Sequence, residues 1–454
     1  MLEEHSAVRT STMKSIIFAL FCAILSPASA AELRQIEGVS GDVDMVRFDS
    51  DYIYAISSGP VGLPYFSKFY KINSEKKLIW ATHWDGETRN LIINQKNDIY
   101  SIVGIPPSDA TVNILRNGSK TFEELDRVAY PIYDFVDGEE NLFYISGSGG
   151  IRMIRSNETE PIDIANTDNF RIYDNSQFSK SVSSDQDGNI YFGGCINGGN
   201  SCKNETREFQ LIVITAEEKR KEIPTAQIIE NVLQDPNNEY IIQILASKRE
   251  YLLISTFNGK TEIGNIKKLN NGTITVLYSD EGQQFGKEAG DRIIYQTMKR
   301  DPQVIIRCNI TYLTLNDEFV PVSNLQDFGD FITCPVSLTN PDEEGNLFIG
   351  SSEVLDTSPL EFLNHTESES IGVNFEGQFD SVAAWTLDSG NNLWLLDGGD
   401  FNEDYGFEIF YVETGSLKGV KVLGGNVSFL WDIVRNNNDE IFVYGLHGLY
   451  VIES

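Results

Sequence analysis

The sequence predicts an all-β fold, a single β-propeller of four-stranded blades, and three observations lead to this prediction. A turn rich in Asp, Asn and Gly, followed by a hydrophobic strand with an aromatic residue, recurs along the chain. Aligned aromatic residues are mostly 43 to 48 residues apart, which is the period of a propeller blade. Runs of five to eight residues alternate apolar with polar side chains, whereas helical periodicity is scarce. The copies of the repeat are SDYIYAIS (50–57), KNDIYSIVG (96–104), EENLFYISG (139–147), DGNIYFGG (187–194), EGNLFIGS (344–351), GNNLWLLDGG (390–399) and NDEIFVYG (438–445).

Each period divides into four strands, named A to D from the propeller axis outward. The pattern is clear at both ends of the chain. Blade one is predicted at 43–49, 52–57, 68–73 and 77–84, and blade eight at 382–387, 392–397, 407–413 and 417–423.

The predicted number of blades depends on how the middle and the end of the chain are divided into strands. Between 235 and 320 the pattern is less regular, and residues 250–257 and 303–309 are predicted as the B strands of two further blades. The prediction is eight to nine repeats, because nine exceeds the usual range of about four to eight. The last repeat has only three strands, and residues 32–39 are predicted to supply its fourth strand and to close the propeller.

The N-terminus has the pattern of an export signal. An apolar run at 15–25 follows Met13-Lys14 and ends in a small Ala-Ser-Ala segment, which is what a signal peptidase reads. Residues 1–30 are therefore predicted as a signal peptide, with Met13 as the start and cleavage after Ala30, and residues 31–454 as the propeller domain. No later run reaches the roughly 18 apolar residues of a membrane span. We expect a secreted, extracellular protein.

Cysteine and sequon usage agrees with export. Four cysteines remain once Cys22 leaves with the signal, and an even number favours disulfides. The predicted pairs are Cys195–Cys202, within one long loop, and Cys308–Cys334, where the end of a B strand meets the start of the next A strand; other connectivities are open. Seven N-x-S/T sequons predict a glycoprotein: Asn117, Asn157, Asn204, Asn271, Asn309, Asn364 and Asn426.

The charge of the chain limits its partners. The formal net charge is -32, and the segment 1–30 contributes nothing to it, because it holds two acids and two bases. Nucleic acids and anionic membranes bind through Lys and Arg, so such a strongly acidic chain disfavours both. We expect a small-molecule ligand or an extracellular protein as the partner.

The strand order places a binding site on one face. The A–B turns are short; DQDGN (185–189) resembles the start of a calcium loop but lacks the glutamate that closes one, so a hairpin turn is favoured. The B–C and D–A loops are longer and share the opposite face, where binding is expected. Loops of blades eight, nine and one combine carboxylates with aromatic side chains, which suits a cationic or aromatic small molecule. The predicted ligand-binding residues are Tyr65, Phe66, Asp397, Asp400, Glu403, Asp404 and His447.

The sequence carries no known catalytic motif. It has no H-E-x-x-H, no G-x-S-x-G, no P-loop and no G-x-G-x-x-G after a strand. No catalytic residue, metal ligand or cofactor is therefore predicted. The alternative is a divalent cation such as calcium, held by oxygen ligands of the acidic loop that follows Asp397.

One repeat resembles known families. GNNLWLLDGG, with Trp394 and Asp397, is similar to a phrase of the secreted insect yellow/major royal jelly proteins, and the short repeats and the closing GLYVI resemble insect ommochrome-binding proteins. Both resemblances imply extracellular, mostly non-catalytic proteins that bind small ligands. Calcium-dependent lactonases of the regucalcin type share the blade style, but their ordered Glu, Asn, Asn and Asp metal set is not found.

The leading hypothesis is a secreted, non-catalytic binding protein. Its alternatives are a divalent-metal-dependent hydrolase or lactonase and an extracellular matrix or structural protein.

Overall fold

The computed structural model describes most of the chain from residue 31 onward. The described residues are 31–58, 66–104, 109–129, 133–146, 148–156, 158–172, 181–196, 202, 207–246, 251–289, 292–300, 306–314, 316–321, 337–338, 346–350, 360–364, 370–376, 382–397, 407–425 and 430–453. The predicted signal peptide lies outside them.

The described residues form nine sheets of four or five strands, numbered here in chain order. Sheet one contains β2 (Asp42–Phe48), β3 (Tyr52–Ser58), β4 (Phe66–Asn73) and β5 (Leu78–Asp85). Sheet two contains β6 (Glu87–Ile93), β7 (Ile99–Gly104), β8 (Asp109–Leu115) and β9 (Glu123–Ala129). Sheet three contains β10 (Tyr133–Val136), β11 (Leu142–Ile145), β12 (Ile151–Ile154) and β13 (Ile162–Asp163).

The middle three sheets follow the same order. In sheet four, β14 (Arg171–Ile172) and β15 (Val182–Ser184) both pair with β16 (Ile190–Ile196), which is followed by β17 (Glu208–Ile214), a short 3-10 helix (Glu218–Arg220) and β18 (Gln227–Ile229). Sheet five contains β19 (Glu239–Ala246), β20 (Leu252–Asn258), β21 (Ile263–Asn270) and β22 (Thr273–Glu281). Sheet six contains β23 (Gln283–Ala289), β24 (Arg292–Arg300), β25 (Ile306–Leu313) and β26 (Phe319–Pro321).

The last three sheets complete the series. Sheet seven contains β27 (Ser337–Leu338), β28 (Leu347–Gly350), β29 (Glu361–Leu363) and β30 (Ser370–Gly372). Sheet eight contains β32 (Val382–Leu387), β33 (Leu393–Asp397), β34 (Phe407–Glu413) and β35 (Lys418–Gly425), with β31 (Asn374–Glu376) added in parallel to β35. Sheet nine contains β36 (Leu430–Arg435), β37 (Ile441–Gly445) and β38 (Gly448–Glu453).

The N-terminal strand completes the ninth sheet. β1 (Glu32–Gln35) pairs antiparallel with β38, from Glu32 opposite Glu453 to Gln35 opposite Tyr450. This pairing covers the open edge of β38 and ties the first strand of the domain to the last. The predicted pairing of the N-terminal strand with the last repeat is confirmed, and the all-β propeller architecture with it.

One predicted strand assignment is wrong. Of the run predicted at 250–257, residues 252–257 lie in β20, the second strand of sheet five, as predicted. Residues 303–309, however, overlap β25, the third strand of sheet six, whereas its second strand is β24. Both runs are rich in β-branched and other apolar residues, as second and third strands alike are. The repeat phrase is absent from this sheet, so the pattern alone does not tell the second strand from the third.

The hydrophobic core lies between consecutive sheets. Buried apolar clusters join sheets one to two, two to three, three to four, four to five, five to six, seven to eight, eight to nine and nine to one. First strands of neighbouring sheets contact each other, as β2 does with β6 and β32 with β36, so they surround the axis. Within the described residues, no helix is both long and apolar enough to cross a lipid bilayer.

The strand directions define two faces. The connections between second and third strands, such as residues 446–447, open on what we call the loop face, together with the connections between sheets. The connections between first and second strands, such as residues 185–189, lie on the opposite side, which we call the turn face.

Turns between first and second strands share one hydrogen-bonding pattern. The Asp185 carboxylate accepts the backbone N–H of Asn189 at 2.9 Å, and Gly188, which donates to the Asp185 carbonyl, has φ +79°. The first residue of the turn has the same role at Asn94, Asp137, Asp388 and Asn436. The hairpin interpretation of DQDGN is confirmed. Asp or Asn is needed at the first position of the turn because its side-chain oxygen accepts a backbone N–H that would otherwise lack a hydrogen-bond partner.

The repeated aromatic residue is anchored to the same turn. The Tyr191 hydroxyl donates to the Asp185 carboxylate at 2.9 Å, the Tyr54 hydroxyl to Asp49 at 2.6 Å, and the Trp394 Nε1 to Asp388 at 3.4 Å. Burial raises the pKa of Tyr191 above its ordinary range, and the hydrogen bond to ionised Asp185 raises it further. The sequence repeat therefore encodes a turn and its aromatic anchor together.

This anchor gives a prediction with a matched control. Tyr191→Phe should lower the free energy of unfolding by about 1–2 kcal/mol, because it removes a hydrogen bond to a charged group. Tyr100 holds the same position after Asn94, but its buried hydroxyl has no hydrogen-bond partner among the described residues. Tyr100→Phe should therefore change stability by less than about 0.5 kcal/mol. Urea denaturation of both variants checks this, and equal losses would contradict it.

Candidate functional site

The structure places three of the predicted ligand-binding residues on the loop face. Phe66 begins β4 in sheet one, Asp397 ends β33 in sheet eight, and His447 lies in the two-residue turn of sheet nine. Asp397 is buried, whereas His447 is exposed. The shared face and the three consecutive sheets agree with the prediction. The other predicted residues lie outside the described part of the chain: Tyr65, Asp400, Glu403 and Asp404.

Next to these loops, β-bulges interrupt several first strands near the loop face. In β36 the pairing with β37 skips Trp431, and in β2 the pairing with β3 skips Asp44. Equivalent bulges occur in β6, β19 and β32. A bulge inserts an extra residue and re-aims its side chain. The skipped residues Trp431 and Asp44 are exposed, whereas Ile242, skipped in β19, is buried. The first two bulges therefore present side chains on the loop face of the adjacent sheets nine and one, in a region that we call the mouth.

Trp431 is the most unusual of these side chains. It is 43% exposed, although it lies on a first strand rather than on the outer rim. The next residue, Asp432, accepts a hydrogen bond from the Tyr444 hydroxyl at 2.6 Å. The charges of both Asp432 and Asp44 act on Tyr444, so the bulges of sheets nine and one lie close to each other.

Carboxylates dominate this part of the mouth. Burial raises the pKa of Asp44, and the negative charges of Asp42 and Glu87 raise it further, against hydrogen bonds from Ser58 that lower it. Burial likewise raises the pKa of Asp432, although the bonds from Tyr444 and Ile433 and the charge of Arg47 lower it. A raised pKa means that the ionised carboxylate is poorly compensated in the folded protein. Negative charge is therefore concentrated on the loop face at the starts of β2 and β6.

A separate cleft of about 700 Å³ lies on the turn face, between sheets four and five. Its walls come from the Asp185–Asn189 turn and the Asn271-Gly272 turn, and its floor includes Tyr191 and Leu269. Among the residues that the structure describes, no group of three or more His, Cys, Asp or Glu side chains could hold a metal ion.

The cysteines and sequons are only partly described. Cys195 and Cys202 form a disulfide with Cα atoms 5.9 Å apart, as predicted. Cys308 lies near the start of the third strand β25, rather than at the end of a second strand, and Cys334 is outside the described residues, so the second pair stays a prediction.

The sequons at Asn117, Asn271 and Asn364 lie between third and fourth strands on the turn face, as expected. Asn309 lies within β25. Asn157, Asn204 and Asn426 are outside the described residues. Whether any of these asparagines carries a glycan stays a prediction.

Sequence analysis missed Trp431 and Asp44. Both belong to first strands, β36 and β2, and β2 overlaps the strand predicted at 43–49. Side chains along a strand point alternately to the two faces of the sheet, so the sequence predicts a face for each residue. A bulge shifts this prediction by one residue, and no sequence signal marks the bulge.

The chain matches no protein-family model and no curated protein sequence. Dipeptidyl peptidase 4 from Porphyromonas gingivalis is similar in structure over 86% of this chain and 63% of that chain, with a TM-score of 0.53 and 9% identity. The β-propeller domain of the Trilobed protease from Pyrococcus furiosus is similar over 86% of this chain and 99% of that chain, with a TM-score of 0.43 and 8% identity. The WD40 β-propeller domain of Doa1 is similar over 70% of this chain and 90% of that chain, with a TM-score of 0.34 and 11% identity. This chain thus spans less than two thirds of the length of the peptidase. At such identities the similarity concerns the fold alone.

Proposed function

We propose that the protein is a non-catalytic binding protein that holds a small organic cation at the mouth, on the loop face of sheets nine and one. The observation that carries the proposal is the pair of bulges at Trp431 and Asp44, in the first strands of the adjacent sheets nine and one, with both side chains exposed. An indole face attracts cations, and this attraction grows where solvent is partly excluded. Export and glycosylation, as expected from the sequence, belong to the same proposal.

The electrostatics of the mouth support a positive ligand. At the starts of β2 and β6, desolvation raises the pKa of Asp44, and repulsion by the charges of Asp42 and Glu87 raises it further. A cation placed among them would relieve this repulsion, whereas an anion would add to it. Phe66, Asp397 and His447 lie on the same face, in sheets one, eight and nine, where they could extend the site.

The test is a thermal-shift screen of organic amines and quaternary ammonium compounds. A ligand that binds only the folded state raises Tm. For the best compound, Trp431→Ala and Asp44→Asn should each weaken the affinity about tenfold, which corresponds to the upper range of cation–π contacts. The control is Ile79→Ala, because Ile79 is 44% exposed on the outer strand β5. Unchanged affinity in both mouth variants would refute this site.

Binding of that amine should also depend on pH. The pKa of Asp44 is above its ordinary value of about 3.9, so acidification neutralises this carboxylate earlier than an unperturbed aspartate. Asp42 and Glu87 lie close enough for their charges to act on Asp44. The affinity should therefore fall as the pH drops from 7 towards 4, because Asp44 loses its negative charge. Titration calorimetry with a permanently charged quaternary ammonium compound isolates the protein's contribution. An affinity that is constant over this range would contradict the role of the carboxylates.

A further inference from the structure

The turn-face cleft between sheets four and five combines an apolar floor with a polar rim. Val213, Leu252 and Leu269 of the core strands form the floor, together with the half-buried Tyr191 and Tyr251. The volume of about 700 Å³ lies within the range of about 300–1,000 Å³ that is typical of small-molecule sites.

The two tyrosine rings are held in place by their hydroxyl groups. The Tyr191 hydroxyl donates to Asp185, and the Tyr251 hydroxyl donates to Asp317 in sheet six at 2.8 Å. The Lys268 ammonium lies 4.1 Å from the centre of the Tyr251 ring, which fixes that ring further. With both hydroxyls engaged, the tyrosines offer a ligand mainly the carbon surface of their rings.

The rim offers hydrogen bonds instead. Gln186 and Asp187 come from the turn of sheet four, and Asn270 and Asn271 from the turn of sheet five. All four side chains are exposed, and none makes a hydrogen bond with another described residue. Amide and carboxylate groups are planar and can each bond two adjacent hydroxyl groups.

This arrangement matches the chemistry of a sugar ring. A pyranose has C–H groups that can lie on an aromatic or aliphatic floor, and hydroxyl groups around its edge that need donors and acceptors. We propose that the cleft is a carbohydrate-binding site, independent of the cation site on the loop face. Two sources of carbohydrate share this chemistry: a separate saccharide, and a glycan on the protein's own Asn271.

The second source is a glycan attached to Asn271 at the edge of the cleft. This asparagine begins the sequon Asn271-Gly272-Thr273, and it lies at the rim in a tight turn with φ +48°, followed by Gly272 at +75°. In N-glycosylation the asparagine Nδ2 bonds to C1 of N-acetylglucosamine, the bond from C1 to the pyrophosphate of a lipid-linked donor breaks, and the Nδ2 proton is lost to the transferase. The first sugars of such a chain would start at the edge of the cleft, where tethering raises their effective concentration.

The first experiment uses unglycosylated protein from a bacterial host and N,N′-diacetylchitobiose as the probe. Titration calorimetry should detect binding, and the double variant Gln186→Ala/Asp187→Ala should weaken it at least fivefold. The matched control is Gln95→Ala/Lys96→Ala, which changes the same two turn positions in sheet two and should leave the affinity unchanged. Both variants alter turn side chains, so circular dichroism melting confirms that each is folded.

The second experiment distinguishes the two sources in protein from a glycosylating host. If the protein's own glycan occupies the cleft, peptide mapping finds it on Asn271, and enzymatic release from the native protein is at least tenfold slower than from the denatured protein. Asn117, at the corresponding turn of sheet two, serves as the comparison. Chitobiose binding without a glycan on Asn271 identifies a separate saccharide as the ligand. Two results together would overturn the proposal. The unglycosylated protein does not bind chitobiose, and Asn271 either carries no glycan or loses its glycan as fast from the native protein as from the denatured protein.

Discussion

Replacing Lys219 by methionine is expected to lower the free energy of unfolding by about 3–5 kcal/mol, which is the cost of leaving a buried charge without its partner. The Lys219 Nζ lies 2.6 Å from the Asp137 carboxylate, and both side chains are only 1% exposed. Lys219 belongs to the 3-10 helix of sheet four, and Asp137 to the first turn of sheet three. The pair therefore joins two neighbouring sheets on the turn face.

The adjacent residue supplies the control for this prediction. Arg220 pairs with Glu139 of the same turn at 2.9 Å, but its side chain is 72% exposed. Solvent screens such a pair, so Arg220→Met should cost less than about 1 kcal/mol. Urea denaturation of the two variants measures the difference. A Lys219→Met variant no less stable than Arg220→Met would show that the buried pair does not hold sheets three and four together.

The second large effect is expected at Lys267 in sheet five. Its Nζ donates to the Glu239 carboxylate at 2.5 Å and to the Val232 carbonyl at 2.6 Å, and the two charged side chains are 1% and 2% exposed. Lys267→Met should lower stability by about 3–5 kcal/mol, because Glu239 would remain buried without a cation. Adding Glu239→Gln to this variant should recover part of the loss, since the unpaired charge is then removed.

The pH dependence separates this loss from a simple packing defect. Burial alone raises the pKa of Glu239, but the hydrogen bonds from Lys267 and Thr256 outweigh it, and the net pKa is lowered. A lowered pKa in the folded state stabilises the protein above the unfolded value of about 4.3, and this contribution is lost as the pH falls through the folded pKa. In Lys267→Met the carboxyl group takes up a proton readily, so the deficit relative to the parent protein should shrink on acidification. A deficit that is the same at pH 7 and pH 4 would contradict the electrostatic explanation.

Lys268→Met is the matched control for Lys267→Met. Lys268 is the next residue of β21 and pairs with Asp317 at 2.6 Å, but both side chains are more than a fifth exposed. Its replacement should cost about 1 kcal/mol, because water can compensate the remaining charge. Denaturation curves for the two single variants at neutral pH make this comparison.

The sequence by itself determined the local structure of this protein. The repeat phrase predicts a turn and the strand that follows it, because Asp or Asn caps the turn and the aromatic residue is anchored to it, as Tyr191 is to Asp185. It also predicts the closure by β1, since the last repeat lacks a strand and the N-terminal segment has one without a partner. In sheet six, where the phrase is absent, the second strand was misassigned.

The tertiary structure alone decided which side chains meet. Lys219 and Asp137 are 82 residues apart, and their contact depends on how a helix of sheet four lies against a turn of sheet three. The bulges that present Trp431 and Asp44, and the cleft below Asn271, likewise depend on packing between sheets. Of the ligand-binding residues predicted from the loops, only Phe66, Asp397 and His447 lie in the described chain, on the expected face. Alternation and turn chemistry act over a few residues, whereas a site forms from residues that only the packed sheets bring together.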